Sequence, residues 1–499
     1  MKKSLALAVA VGAAVMSGQA LATNGYFTHG LGTKNQGMAG AGTASPQEAM
    51  ATAMNPASAV IVGDRKEAGI AIFSPNRSYS VSASQLQMGA EMGDATAMGY
   101  YGAGAFTLDA GNVESGSNYF PIPHFATTWA TGDNTAAGVA IYGRGGMNTD
   151  YNGGSAYFMN ALAGEMAPSS KPGTFGGGNA GVNLMQLFVD LSLSGQSGEL
   201  SYGASLVMVA QSFEAKGMGN FTPYTTTFNN AFGAAFQANM ADVMAGNMTP
   251  EQAMGASAMA AMGEEYNLTD RGADISTGVG LGLGVIWSSD NVNLSAQYKS
   301  KVSMSEFDKY SDLFAEGGSF DIPSSFGVGA SFKTANGGAF HYDFEQINYS
   351  DVASISNPMA NLFTCPIAVM MQTGEMSSDS SGCLGGANGA GFGWTDVQVH
   401  KLGYEWSMAG SPEVRYRVGA SFGENPIASS EAMFNILAPG VIENHYTAGF
   451  TRKLGDGSEY SVSLMYAPEA STSGANPLDP SQTIEIKMDQ WSAEFSYSW

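Results

Sequence analysis

Charge is what this sequence is short of. Asp, Glu, Lys and Arg make up 13% of its 499 residues, about half the share carried by an ordinary soluble domain. A wetted surface of this extent needs more Lys and Glu, whereas a wall facing lipid does not. Basic residues are scarcer still: 20 against 43 acidic ones, a net charge of −23. That excludes nucleic acid as a partner, because phosphate binding draws on clustered Lys and Arg. Beyond the leader there is no apolar run of about 18 residues, so spanning helices are excluded. Five histidines offer little to acid–base or metal chemistry. No Gly-x-Ser-x-Gly elbow, His-Glu-x-x-His pair or phosphate loop is present. Neither an enzyme nor a metal or other cofactor is expected. The only cysteines are Cys365 and Cys383. With no His nearby they do not make a zinc shell, and in an exported chain they are expected to form a disulfide stapling a Gly/Ser-rich segment.

What the chain does carry is glycine, 66 residues, and aromatics at 11%, with a mean hydropathy of −0.05. A membrane barrel gives such an average, because its strands alternate apolar and polar residues. Residues 1–22 have the form of a secretory signal peptide: Lys2 and Lys3, an apolar stretch from Leu5 to Val15, then Ala20-Leu21-Ala22 as a small-x-small cleavage site.

The carboxy-terminal end is the most informative stretch. Trp491, Ala493, Phe495, Tyr497 and Trp499 alternate with Ser492, Glu494, Ser496 and Ser498. Nine residues at this period cross a bilayer when tilted. Phe495, Tyr497 and Trp499 form the aromatic terminus that barrel-assembly machinery takes hold of. The same period recurs from Met185 to Leu193, Val279 to Trp287, Phe326 to Phe332, Val414 to Ala420 and Val462 to Tyr466. In each, the apolar set is expected to face lipid.

Short Gly/Asn/Asp turns fall at 132–134, 195–198, 289–291, 336–338, 410–412 and 455–457, as hairpins require. Seven long segments lie between them: 82–117, 148–182, 217–271, 305–320, 350–393, 425–442 and 469–482. The sum is 14 strands in residues 65–499, with short turns and both termini on the periplasmic side. Two strands change phase, one over 394–407 and the last between Met488 and Trp491. This is expected to mark bulges or strand reaching beyond the bilayer. Residues 23–64 lack any alternating run and are expected to fold into the lumen as a plug. Within 217–271, Phe228, Phe232, Phe236 and Met240 form a helical stripe. Thr249-Pro250-Glu251-Gln252 starts a second helix with Met254 on its apolar face. An outer apolar landing surface is the expectation.

Asn24-Gly25-Tyr26-Phe27, Gly30-Leu31-Gly32, Gly37 to Gly42, Asn55-Pro56-Ala57, Pro121 to Phe125 and Phe434 to Val441 together resemble the FadL/TodX family of outer-membrane transporters of hydrophobic compounds. The resemblance implies a monomeric 14-stranded antiparallel outer-membrane β-barrel of a Gram-negative bacterium, set in lipid and lipopolysaccharide and plugged by an N-terminal hatch. It implies passive uptake of long-chain fatty acids, from an outer groove to an inner pocket and then sideways through the wall at a kinked third strand. Tyr26 or Phe27 would stand at the pocket, and Asn55, Pro56 and Ala57 near the kink. Gly143, Arg144, Gly145 and Gly146 end the expected third strand, 135–147, with glycines suited to a break in pairing. A carboxylate ligand needs cations, and the lumen-side candidates are Arg144, Lys299, Lys301, Arg415 and Arg417. Each is weighed against salt bridging within the wall, and His341, Asp343 and Glu345 against a merely polar lumen face. Import of aromatic or alkane hydrocarbons is the alternative within this class. A surface adhesin or structural barrel is the alternative outside it.

Overall fold

The computed structural model describes residues 24–160, 164–262, 267–375 and 377–499, so the signal-peptide reading lies outside it. Fourteen antiparallel strands make the wall. In chain order β1 to β7 are Arg65–Val81, Phe120–Gly132, Thr135–Asn148, Gly181–Ser197, Leu200–Lys216, Asp274–Ser288 and Val292–Lys299. The remaining seven, β8 to β14, are Ser325–Lys333, Ala339–Ile347, Val397–Met408, Ser411–Gly423, Asn444–Lys453, Glu459–Asn476 and Asp479–Ser498. Each pairs with the next, and β14 closes on β1 from Glu67↔Ser498 to Val81↔Ile484. The six short turns fall where the sequence places them. Of the long connections the seventh is a correction: β13 and β14 continue outward as one long hairpin joined at residues 477–478, not by a loop over 469–482.

Alternation fixes which face meets which solvent. Leu191, Leu193, Leu206, Leu281, Leu283, Phe326, Leu402, Leu464 and Phe495 are exposed on the outer wall. Their neighbours Ser192, Ser205, Ser331, Glu405, Ser463 and Glu494 are buried inside. A soluble fold would not present such a belt, and hydrocarbon supplies its missing partner.

The phase changes have one cause. In β14 the parity never slips: Ile484, Ile486, Met488, Gln490, Ser492, Glu494, Ser496 and Ser498 are all buried. From Trp491 downward the outward residues are apolar. Above it they are Glu485, Lys487 and Asp489, and the inside is apolar instead. The surroundings invert, from lipid outside to water outside, and the strand follows. In β10, Val397, Val399, Lys401, Gly403 and Glu405 likewise share one buried face. Of the two expectations over 394–407, a bulge or strand reaching beyond the bilayer, the unbroken face from Val397 to Glu405 fits the second, and the slip in the β10–β11 ladder lies at Ser407/Met408. A bulge does occur beside β14, on its partner β13 between Ala467 and Ala470.

Residues 24–64 occupy the lumen, and wall glycines receive them. A Cβ at Gly203 would stand 2.5 Å from the Pro56 carbonyl carbon, and one at Gly419 2.2 Å from that of Met38. At Gly284 it would come within 1.9 Å of Asn55 Oδ1. Of the glycines alternating through β6, Gly284 receives the plug, whereas Gly278 and Gly280 receive residues 300–304.

The inverted chemistry of β14 places the outer membrane–water boundary near Trp491. Phe495→Lys should therefore lower stability by about 2–4 kcal/mol, and Asp489→Lys by far less, in equilibrium unfolding from lipid vesicles. Equal losses would move the boundary.

Candidate functional site

The wall is interrupted at β2–β3. β2 pairs with β1 from Phe120 to Thr128, but with β3 only from Phe125 (opposite Ile141) onward. Residues Phe120 to His124 therefore have β1 on one side and no strand on the other. At about 3.3 Å per residue the opening is about 16 Å tall. Pro121 and Pro123 lie on this margin, and proline donates nothing to a ladder. On the other margin β3 kinks: its register with β4 slips between Gly143 and Gly146. There the N-terminal segment takes the place of a strand. Thr28 N donates to Arg144 O (3.0 Å) and Gly146 N to Tyr26 O (3.1 Å). At Gly145 the plug comes close: a Cβ there would displace Gln186 Oε1, 2.2 Å away, and touch the Tyr26 ring at 3.0 Å. Just inside the opening is a mostly apolar cavity bounded by Leu31, Met50, Phe73, Ile122, Tyr142 and Gly143, with Thr28, His29, Gln36, His124, Ser492 and Glu494 also in its lining.

Tyr26 and Phe27 are buried at this junction, their rings 4.5 Å apart. Tyr26 packs against Tyr349 (5.6 Å), Trp394 (6.0 Å) and Phe320 (6.3 Å). Phe320 meets Phe314 at 4.8 Å. Phe314 belongs to a second apolar cavity, higher up, shared with Val182, Phe213, Met218, Leu313, Leu384, Phe392, Phe434 and Leu437. Its lining comes from β4, β5 and four of the outer loops, and Ser354 is its one polar side chain. The aromatic cluster at the N-terminus thus stands between an outer apolar chamber and the cavity behind the wall opening. Phe434 to Val441, singled out in the sequence, supplies part of the chamber.

The candidate cations have other occupations. Arg144 stacks on the Phe27 ring at 4.4 Å and pairs with Glu345 at 3.3 Å, and Lys401 shares that carboxylate at 2.6 Å. Lys299 pairs with Asp190 (2.9 Å) and donates to Tyr142 Oη (3.0 Å). These three cations, with Gln297 and Asp343, line a polar cavity beneath Thr28 and His29. Arg415 and Arg417 pair with Glu405 (2.9 and 3.3 Å). Arg417 also donates to Gln47 Oε1 (2.7 Å). They line the periplasmic mouth with Lys34 and Arg65, both paired with Glu459, and anchor the plug rather than the chamber. Lys301 is a correction. Five residues from Lys299 to Ser303 run opposite four from Gly282 to Val279, so parity reverses and Lys301 is exposed beside Asp321 at 3.0 Å. His341, Asp343 and Glu345 do share the inner face: Ser331 and His341 Nδ1 are 2.7 Å apart, and Thr43 N donates to Asp343 (3.0 Å).

Asn55, Pro56 and Ala57 sit against β5, β6 and β7, where Asn55 Nδ2 donates to Val285 O (3.3 Å) and Ala296 O (3.4 Å). The kink at Gly143 to Gly146 is elsewhere on the wall. In the outer lobe, α1 is Thr226–Met244 and α2 is Pro250–Met262. Thr249 and Gln252 cap α2 reciprocally, at 2.9 and 3.3 Å. The stripe is not an open groove. Phe228 and Phe232 are fully buried, stacked at 5.9 Å, and pack on Ala258, Ala261, Ile367 and the Cys365–Cys383 disulfide. Phe236 and Met240 are half-buried and Met254 lies at the surface. A helix pair on a loop must bury its own stripe first, and the disulfide loop is what it buries it against.

No family model and no curated protein matches the chain. Among solved structures, a FadL homologue from Pseudomonas aeruginosa superposes with a TM-score of 0.56 at 12% identity, covering 95% of this chain and 99% of that one. The toluene transporter TodX of P. putida gives 0.53 at 15%, covering 94% and 98%. The toluene transporter TbuX of Ralstonia pickettii gives 0.51 at 13%, also covering 94% and 98%. At these identities the likeness establishes one shared fold along the whole length.

Glu459 holds two cations from opposite parts of the plug junction. Breaking a buried pair from one side costs about 3–5 kcal/mol, so Glu459→Gln should unseat residues 24–64. Limited proteolysis from the periplasmic side should then cut this segment several-fold faster. Glu413→Gln, exposed in the same mouth, should leave cleavage unchanged.

Proposed function

We propose that the protein is a passive importer of hydrophobic small molecules in the outer membrane of a Gram-negative bacterium. The observation that carries this reading is the pairing of an apolar chamber beneath the outer loops with an apolar cavity behind an opening in the wall, the N-terminal aromatic cluster between them. A solute that prefers the chamber to water would enter from outside. It would pass when Tyr26 and Phe27 shift, and leave through the opening into lipid rather than down an aqueous pore. The 24–64 plug then serves as a hatch, its periplasmic half clamped by ion pairs and its tip held by ring contacts and a few hydrogen bonds that must be exchanged when it yields. The fold likeness to hydrocarbon and FadL-type transporters supports a transport role over an enzymatic one. The terminal aromatics Phe495, Tyr497 and Trp499 support delivery by the barrel-assembly machinery.

On the ligand, the chamber favours an uncharged hydrocarbon. No ionisable side chain borders it, and a buried carboxylate without a partner is costly. Long-chain fatty acids are the second reading. What favours them is the polar cavity with Arg144, Lys299 and Lys401 directly beneath Phe27, where a head group would compete with Glu345 and Asp190.

The test is uptake of labelled toluene and labelled oleate by cells that lack their own transporter. Toluene uptake above the empty-vector level, unchanged by Arg144→Ala, is the expected result. Oleate uptake alone, lost in Arg144→Ala, would install the second reading. No uptake of either by a correctly folded barrel would end the transport proposal. Leu437→Glu puts a carboxylate into the chamber and should lower toluene uptake by an order of magnitude or more, with the barrel still folded.

A further inference from the structure

Arg77 stands on the inner face of β1 and is buried, at 5% exposure. Every other buried Lys or Arg among the described residues has a carboxylate within 4.0 Å, and Arg77 has none. A buried guanidinium without a counter-charge is expensive. Its compensation here is to backbone. One amino group donates to Asn148 O, at the end of β3, and the other to Ser117 O in the first outer loop. The guanidinium carbon stands 5.7 Å from the centre of the Phe120 ring, the first residue of β2.

These contacts acquire a meaning from what the wall lacks there. On this side β1 pairs with β2 up to Phe73 and with loop residues 111–114 from Ser78 to Val81. Between those two ladders no strand covers β1, and β2 has no ladder to β3 above Phe125. Arg77 reaches from β1 across the top of β2 to the last residue of β3. It ties together the two margins of the wall opening at its upper end, beside Ser115 Oγ, which accepts from Asp150 N at 3.0 Å. Just above it the Gly116 N to Asp150 O bond (2.8 Å) ties the same loop to the chain leaving β3.

We infer that Arg77 is the latch of the lateral opening: by holding β3 to β1 over Phe120 it sets how far the margins part, and so how wide a solute can leave. The inference rests on the lateral-release reading above. Arg77 is a positioning residue in it, touching the frame and not the solute. Lysine cannot replace it, because a single ammonium lacks the planar fork that reaches two carbonyls at once.

Uptake of two uncharged probes, toluene and the bulkier pyrene, would be compared in cells carrying the full-length wild type, Arg77→Ala, Arg77→Lys, and the filled openings Ile122→Trp and Gly143→Trp. Heat-dependent electrophoretic mobility would report the folded fraction of each. The expected result is a several-fold rise in the pyrene-to-toluene ratio in both Arg77 variants, with both probes blocked by Ile122→Trp or Gly143→Trp. If the filling variants block uptake and the ratio stays at the wild-type value, lateral release stands and the latch is overturned. Equal loss of both probes in Arg77→Ala, in step with a smaller folded fraction, also overturns it and leaves Arg77 a purely structural residue. If folded filling variants pass both probes normally, lateral release itself fails and takes the latch with it.

Discussion

At membrane depth every backbone N–H and C=O must find a partner inside the protein, because lipid offers none. That constraint makes the barrel close, and it makes any opening in the wall a problem to be solved locally. The β2–β3 interruption is solved three ways at once. Pro121 and Pro123 remove donors from one margin. The slip at Gly143 to Gly146 turns the other margin inward. The N-terminal segment then pairs with the turned-in backbone at Arg144 and Gly146. The plug is therefore part of the wall's own hydrogen-bond accounting, and its tip cannot move without releasing groups that must be satisfied again.

The two ends of the plug are held by different physics. Toward the periplasm the bonds are ionic and networked: Lys34 and Arg65 on Glu459, Gln47 between Arg417 and Glu405, and Glu48 accepting from the backbone of Lys34 and Asn35 at 3.0 Å each. At the tip they are aromatic contacts, two backbone bonds to β3, the Tyr349 hydroxyl between Tyr26 N and Asn24 O, and a cation over a ring. Dispersion and ring contacts are individually weak and tolerate sliding, whereas a buried charge pair does not tolerate losing one member. The division suits a segment that stays seated as a body while its tip gives way.

Much of this was legible in the sequence because alternation has a period of two and lipid enforces it without exception. Fourteen strands, six turns, the capping box at Thr249 and the Cys365–Cys383 disulfide all follow from local pattern. The failures share a different origin. Lys301 stands two residues from Lys299, a spacing that puts both in the lumen, and one extra residue at the end of β7 reverses it. The Phe228 stripe is indeed apolar, but the surface that covers it comes partly from α2 and partly from residues more than a hundred positions away. Nothing near Arg77 in the chain marks it. Its role depends on β2 stopping short of β3, and the local signal, Pro-Ile-Pro at 121–123, sits on another strand.

The unbroken parity of β14 has a consequence for how such a chain can change. Between Ile484 and Ser498 a single inserted or deleted residue would turn Gln490 and Glu494 toward lipid and Trp491 and Phe495 into the lumen, so both solvents would be wrong at once. The strand's length is counted, not measured. The extra residue that β13 carries, with 468 and 469 together opposite Asp489, lies at the level where water replaces lipid outside. Lineages of this barrel should therefore record their insertions and deletions above that line and keep a fixed residue count below it, as if the bilayer were a reading frame.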